Sequence, residues 1–199
     1  MENLRLKAFG PDLLEPCDLA VEAGQTLTLT GPSGSGKSLF LRAIADLDPH
    51  RGEAWLDDRA CSAFPPPLWR RNVAYLPAES HWWATKVGDH FEDRNADMVE
   101  ALGLKGDVFD WSVSRLSSGE RQRLAVARLL AIEPRVLLLD EPTANLDRDN
   151  TTHVEQVIHD YQQTQNATVI WVSHYPEQRQ RLGGRHLRIE NHAIAEADS

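Results

Sequence analysis

Residues 31–38 read GPSGSGKS, and they stand between two stretches of different period. Gly24 to Thr30 (GQTLTLT) alternates every second residue, as a half-buried strand does, and the segment from Lys37 to about Leu47 reads as a helix. A strand that runs through a glycine-rich turn into a helix is a local unit with few alternatives, and the turn fits the spacing G-x-x-x-x-G-K-[ST]. Its chemistry is phosphate binding. The glycines let backbone N–H groups fold around phosphate oxygens, and the start of the helix adds its positive end. Gly31, Pro32, Ser33, Gly34, Ser35, Gly36, Lys37 and Ser38 form the predicted cradle. Lys37 reaches the β and γ phosphates, and Ser38 offers a hydroxyl to Mg²⁺. The plain alternative is a glycine-rich connection and nothing more; the flanking strand and helix weigh against it.

Along the rest of the chain strand signals alternate with helix signals, which predicts an α/β protein with a largely parallel sheet. Short strands are expected at Gly52 to Leu56 and Asn72 to Leu76, with the triple proline Pro65 to Pro67 as a loop between them. From Glu79 to about Arg115 the β signal fades into short helices, of which Ala96 to Leu104 is the clearest. Further strands are expected at Val136 to Asp140 and Thr168 to Val172, separated by a polar helix from about Asp149 to Gln165. The stretch from His186 to Ala195 reads as a last hairpin or edge strand.

The formal net charge of −9 over 199 residues argues against a general nucleic-acid binder, which needs a basic stripe to displace counterions. MENLRLKAFG has neither the basic nor the apolar region of a secretion signal, and no apolar run approaches the length of a membrane span. A cytoplasmic protein is expected. Cys17 and Cys61 have no metal-ligand spacing and read as structural cysteines in a reducing compartment.

VLLLDE, Val136 to Glu141, is a buried parallel-type strand that ends in two adjacent carboxylates. In phosphate-loop folds the strand beside the loop carries an Asp that holds Mg²⁺, a role that falls to Asp140. Glu141 lies one residue further out, where it is placed to polarise an attacking water as general base. A simple acidic cap on the turn before Pro142 is the alternative. Upstream, RLSSGERQRL (115–124) contains the S-x-x-E pattern at Ser117 and Glu120, which on its own predicts a well-capped amphipathic helix.

The whole run LSSGERQRLAVARLLAIEPRVLLLDEPTANLD resembles the signature-to-Walker-B region of ATP-binding cassette (ABC) proteins, usually written LSGGQ followed by a helix and DEP. The resemblance runs from about Leu4 to Ile189, with several motifs in the family's order. It implies a P-loop NTPase core with a mainly parallel sheet, a small antiparallel β-subdomain and a short α-helical insert. The division implied is a single domain over residues 1–199, with a core at 1–77 and 117–199 and the helical insert at 78–116. It further implies Mg-ATP as ligand and a homodimer packed head to tail. In that dimer Ser117, Ser118, Gly119 and Glu120 of one subunit meet the ATP held by the other. Asp147, in TANLD, matches the loop that crosses the dimer interface, although an Asp there also reads as a helix N-cap. His174, after the strand VIWVS, matches the switch histidine that contacts the γ-phosphate, which makes Lys37, Glu141 and His174 the expected catalytic set. Phe9 is the candidate aromatic ring for stacking on adenine, with core packing as its alternative.

One departure stands out. The family usually closes the strand after the β-subdomain with a Gln, but here the text is VAYLPAES, so Ala78 takes that place and Glu79 follows. Either Glu79 moves in by a one-residue shift or the site lacks this ligand, and the resemblance then implies slowed or differently coupled hydrolysis. Next comes HWW, His81 to Trp83, in the region where the family receives a membrane subunit; two consecutive Trp cannot both face one core, so docking and local packing are both open. The expected protein is the ATP-binding subunit of a transporter, similar to small bacterial subunits linked to iron or metal export. It would sit on the cytoplasmic face of the inner membrane through a permease on a separate chain, with no nucleic acid bound. A soluble ABC ATPase acting on nucleic acid or ribosomes, and a regulatory nucleotide-binding module, are the alternatives.

Overall fold

The computed structural model describes residues 2–197. The strands are β1 (Glu2–Gly10), β2 (Cys17–Glu22), β3 (Thr26–Thr30), β4 (Arg51–Leu56), β5 (Arg59–Ala60), β6 (Val73–Leu76), β7 (Val136–Asp140), β8 (Thr168–Val172), β9 (Arg185–Glu190) and β10 (Ala193–Glu196). The helices are α1 (Lys37–Ile44), α2 (Pro66–Asn72), α3 (Ala96–Ala101), α4 (Ser118–Leu130), α5 (Arg148–Gln165) and α6 (Pro176–Leu182).

Two sheets result. The larger has the order β10-β9-β3-β8-β7-β6 and is parallel except for the β9–β10 hairpin. The smaller, β2-β1-β4-β5, is antiparallel. The α/β core with an antiparallel subdomain is therefore present. The strand that carries Asp140 is not the direct neighbour of the one feeding the phosphate loop, because β8 lies between β3 and β7.

Strand β7 shows why the central sheet reads as unbroken apolar runs. Val136 and Leu138 enter the core shared with α1 and the antiparallel sheet, whereas Leu137 and Leu139 enter the core beneath α4 and α5. Both faces are covered, so every position of the strand must be apolar until Asp140.

Three local readings need correction. The triple proline opens α2 instead of forming a loop, since Pro66 and Pro67 occupy first-turn positions whose N–H groups have no helical partner. Trp69 then plugs the core with its indole Nε1 donating to the Ile44 carbonyl at 2.9 Å. Helix α1 ends at Ile44, short of Leu47, where Asp46 turns left-handed (φ 55°). Between β6 and α4 only α3 is a regular helix, and the rest is short 3₁₀ turns.

The cysteines are inert. Burial, with Asp18 adding to it, pushes the Cys17 thiol up to about 11, and burial pushes Cys61 up to about 12. Among the described residues no helix is long and apolar enough to cross a membrane.

Candidate active site

The turn after β3 is shaped by its glycines. Gly31 has φ +152°, and a Cβ there would lie 2.6 Å from the Ile189 carbonyl oxygen, so no larger residue fits. Gly36 (φ +102°) is the N-cap of α1 and supplies no side-chain cap, which leaves the first N–H groups of the helix for an outside acceptor. Lys37 is buried and donates to the carbonyls of Gly31 (2.9 Å) and Pro32 (3.0 Å), folding over the loop. The hydroxyl of Ser35 is buried without a protein partner among the described residues. An unsatisfied hydroxyl next to the uncapped start of α1 fits a phosphate chain.

A cleft of about 230 Å³ is lined by Ser33, Gly34, Gly36, Lys37, Ser38, Leu39, Glu141 and His174. The phosphate loop and all three expected catalytic groups, Lys37, Glu141 and His174, thus meet in one place, although Glu141 and His174 follow different strands. Asp140 ends β7 almost fully buried, with its Oδ2 accepting from the Tyr75 hydroxyl at 2.9 Å. At Glu141 the backbone turns left-handed (φ 50°), a conformation that costs an L-residue about 1–2 kcal/mol. The break in strand alternation sends the carboxylate across to His174, whose Nε2 lies 2.7 Å from Glu141 Oε1. A carboxylate accepts, so this nitrogen is the protonated one.

Phe9 must be reassigned. It is fully buried, 4.6 Å from the His50 ring and 6.3 Å from the Phe40 ring, and its faces are not available to a base. The half-exposed apolar side chain beside the phosphate loop is Leu13, which a Cβ on Gly36 would meet at 3.3 Å. Neither Ala78 nor Glu79 lines the cleft; Ala78 is half-buried and Glu79 points to solvent.

Ser117 to Glu120 lie outside the cleft. Ser117 caps α4 in a reciprocal box: its Oγ accepts from the Glu120 N–H (3.2 Å), and the Glu120 carboxylate accepts from the Ser117 N–H and hydroxyl (both 2.8 Å). These bonds, the backbone one first, hold Glu120 below the usual carboxylate range. Its charge is spent on its own turn. A Cβ on Gly119 would lie 3.2 Å from Leu146, so the turn abuts the loop that ends in Asp147. Asp147 caps α5, accepting from the Asn150 N–H at 2.8 Å, and that bond lowers its pKa.

The sequence of residues 14–144 matches the description ABC transporter. The chain belongs to the ABC transporter family. It is 32% identical over 187 residues to the "Probable iron export ATP-binding protein FetA" of Escherichia coli (strain K12), covering 87% of this chain and 83% of that protein. It is 32% identical to the "Phosphate import ATP-binding protein PstB" of Aeropyrum pernix, covering 92% and 83% respectively. The fold is similar to the dimeric post-hydrolysis state of the ATP-binding cassette MJ0796 bound to ADP and Pi, with a TM-score of 0.83 at 21% identity over 98% of each chain. As an ABC ATP-binding subunit the chain is an ATPase.

The sequence reading missed Tyr75 on Asp140 and the group around Gln178 described below. The pairing of β6 with β7 places Tyr75 opposite Leu138, on the face that Asp140 shares two residues later. Only knowledge of that pairing would have signalled the contact.

Proposed function

We propose that two copies of this chain close head to tail on two ATP molecules and hydrolyse them to drive a separate membrane permease from its cytoplasmic side. The observation that supports this is the division of the motifs. The phosphate loop, Glu141 and His174 share one cleft, while Ser117, Ser118 and Gly119 face outward at the free end of α4 and adjoin the Asp147 loop. A second copy would supply what the cleft lacks.

In this reading the uncapped N–H groups at the start of α1 and the Lys37 ammonium hold the phosphates. Ser38 and Asp140 hold Mg²⁺, which when bound offsets the charge of the β and γ oxygens. Glu141 takes a proton from the attacking water, whose oxygen bonds to the γ-phosphorus as the bond to the β-phosphate oxygen breaks. His174 steadies Glu141 through its Nε2–H, beside the phosphate loop.

Two variants probe residues outside the cleft lining, one beside Asp140 and one at the end of the strand after the antiparallel sheet. Tyr75→Phe frees Asp140 Oδ2 and is expected to weaken Mn²⁺ binding in the presence of ADP by about tenfold, measured by Mn²⁺ electron spin resonance. An unchanged affinity would show that the hydroxyl does not orient the carboxylate. Ala78→Gln restores a polar group where the family has one. A gained transition-state hydrogen bond of about 1 kcal/mol corresponds to a roughly fivefold rise in turnover. An unaltered rate would mean that the missing side chain does not limit hydrolysis.

The helical segment offers a surface suited to a permease. Trp83 is 73% exposed, Trp82 is half-buried, and the Arg128 guanidinium stacks on both rings at 5.0 and 4.6 Å. His90 Nε2 accepts from the N–H groups of Trp83 and Ala84 (3.0 Å each), so the exposed ring stands on a fixed base. The similarity to FetA favours export of iron or another metal as the cargo. The deciding experiment is recovery of tagged Glu141→Gln protein, with ATP present, from detergent-solubilised membranes of the source cells. A stoichiometric multi-span protein is expected. Ribosomes or DNA in its place would move the assignment to a soluble ABC ATPase.

A further inference from the structure

Helix α6 carries Gln178, a side chain the chemistry above does not use. It is 3% exposed, and both polar atoms of its amide are hydrogen-bonded. The Oε1 accepts from the Ser173 hydroxyl at 2.6 Å, and the Nε2 donates to Thr143 Oγ1 at 2.9 Å and to Glu155 Oε1 at 2.8 Å. The amide has only one workable orientation, because the Glu155 carboxylate accepts and never donates when ionised. Arg181 holds that carboxylate through two bonds, from Nε to Oε2 (3.0 Å) and from Nη2 to Oε1 (2.8 Å). Ser173 in turn accepts from the Tyr175 N–H at 3.1 Å, so His174 lies between two residues tied to the same hydroxyl.

The partners of Gln178 belong to the two loops that carry the chemistry. Thr143 lies two residues after Glu141, in the turn where the Ala144 N–H returns to the Glu141 carbonyl. Ser173 immediately precedes His174. These loops follow β7 and β8, and the 2.7 Å contact between Glu141 and His174 bridges them at the cleft. Gln178 bridges them again from behind, within a buried polar network where an unmade bond is costly. An amide that holds one loop by its oxygen and the other by its nitrogen fixes their spacing.

We infer that Gln178 is a positioning residue for hydrolysis, setting His174 against Glu141 through Ser173 and Thr143. The inference rests on the proposed roles of Glu141 and His174. Gln178 does not line the phosphate-loop cleft and meets Glu141 and His174 only around a separate small cavity behind it, so it governs turnover and not ATP affinity.

The test uses the full chain and steady-state ATP hydrolysis. Gln178→Met keeps length and volume but removes all three bonds, and a misplacement of reacting groups by less than an ångström is expected to lower kcat by about tenfold or more. KM for ATP should change by less than about twofold. Ser173→Ala, which removes the bond to Gln178 together with the Tyr175 N–H bond beside His174 and is small enough to fold if Gln178→Met does not, should reproduce the kcat loss. In a His174→Ala background neither change should lower the residual rate further, because the group being positioned is gone. A purely structural role would instead lower the rate by the same factor in either background. Wild-type kcat in Gln178→Met and Ser173→Ala, with His174→Ala impaired, overturns this inference alone. Wild-type kcat in His174→Ala itself overturns the site reading and this inference with it.

Discussion

Replacing Glu141 by Gln is expected to lower ATP turnover by about 10²- to 10⁴-fold while leaving ATP affinity nearly unchanged. The substitution is close to isosteric, and the amide oxygen still accepts from His174 Nε2, so the left-handed turn at residue 141 and its contact have no reason to rearrange. What disappears is the ability to take a proton. The phosphates are held elsewhere, by the free N–H groups at the start of α1 and by Lys37, which accounts for the retained affinity. Because the bound nucleotide is no longer consumed, the closed dimer should accumulate. Phosphate release measured alongside sedimentation in Mg-ATP separates the two effects. A turnover within about threefold of wild type would remove Glu141 from the role of base and leave its contact with His174 structural. Loss of nucleotide binding together with turnover would instead show that the turn at Glu141 shapes the cradle.

That prediction draws on the part of the molecule most legible in the sequence. The strand, glycine turn and helix at 24–44 were readable because each has a local cause: period two, positive φ and an uncapped helix start. Strand β7 was readable because burial on both faces forbids polar residues until the strand ends. The cap of α4 needs only two side chains three residues apart, and it is formed as expected.

Other features depend on contacts distant in sequence or on breaks in a local pattern. In β1 the alternation of Leu4 and Leu6 is broken by a register shift before Phe9, with Ala8 in a left-handed turn, so the strand loses its period half-way along. That irregularity also sends the Phe9 ring into the core. The amide of Gln178 joins residues 35 positions apart, Thr143 at one end and the amide itself at the other, and each of them alone is an ordinary polar residue. No periodicity marks such a network, because its members are spread over α5, α6 and the loops after β7 and β8 and become neighbours only when those strands pair.

Mixing two inactive variants should restore activity that neither has alone. Lys37→Ala removes the ammonium that spans the phosphate loop, and Ser118→Asp places a carboxylate on the outward turn of α4. The second change suits its own subunit: Ser118 is exposed at the first turn of the helix, where an acidic residue is favoured by the helix dipole. Its harm is confined to a phosphate brought up by another chain. Each variant alone is expected to fall below about a hundredth of wild-type turnover, since a lost cation or an added anion at the γ-phosphate costs several kcal/mol of transition-state stabilisation. In a mixed dimer, the intact phosphate loop of the Ser118→Asp subunit faces the intact turn of the Lys37→Ala subunit, while the other site has both defects. Random pairing of equal amounts makes half the dimers mixed with one working site in each, so about a quarter of wild-type turnover should return. Recovery of that size requires residues 31–38 of one copy and 117–120 of the other to serve one ATP. No recovery, with the variants shown to form mixed dimers, would mean that a lone composite site cannot turn over. Full activity in Ser118→Asp alone would mean that the turn never meets a phosphate and that its capping box serves only its own helix.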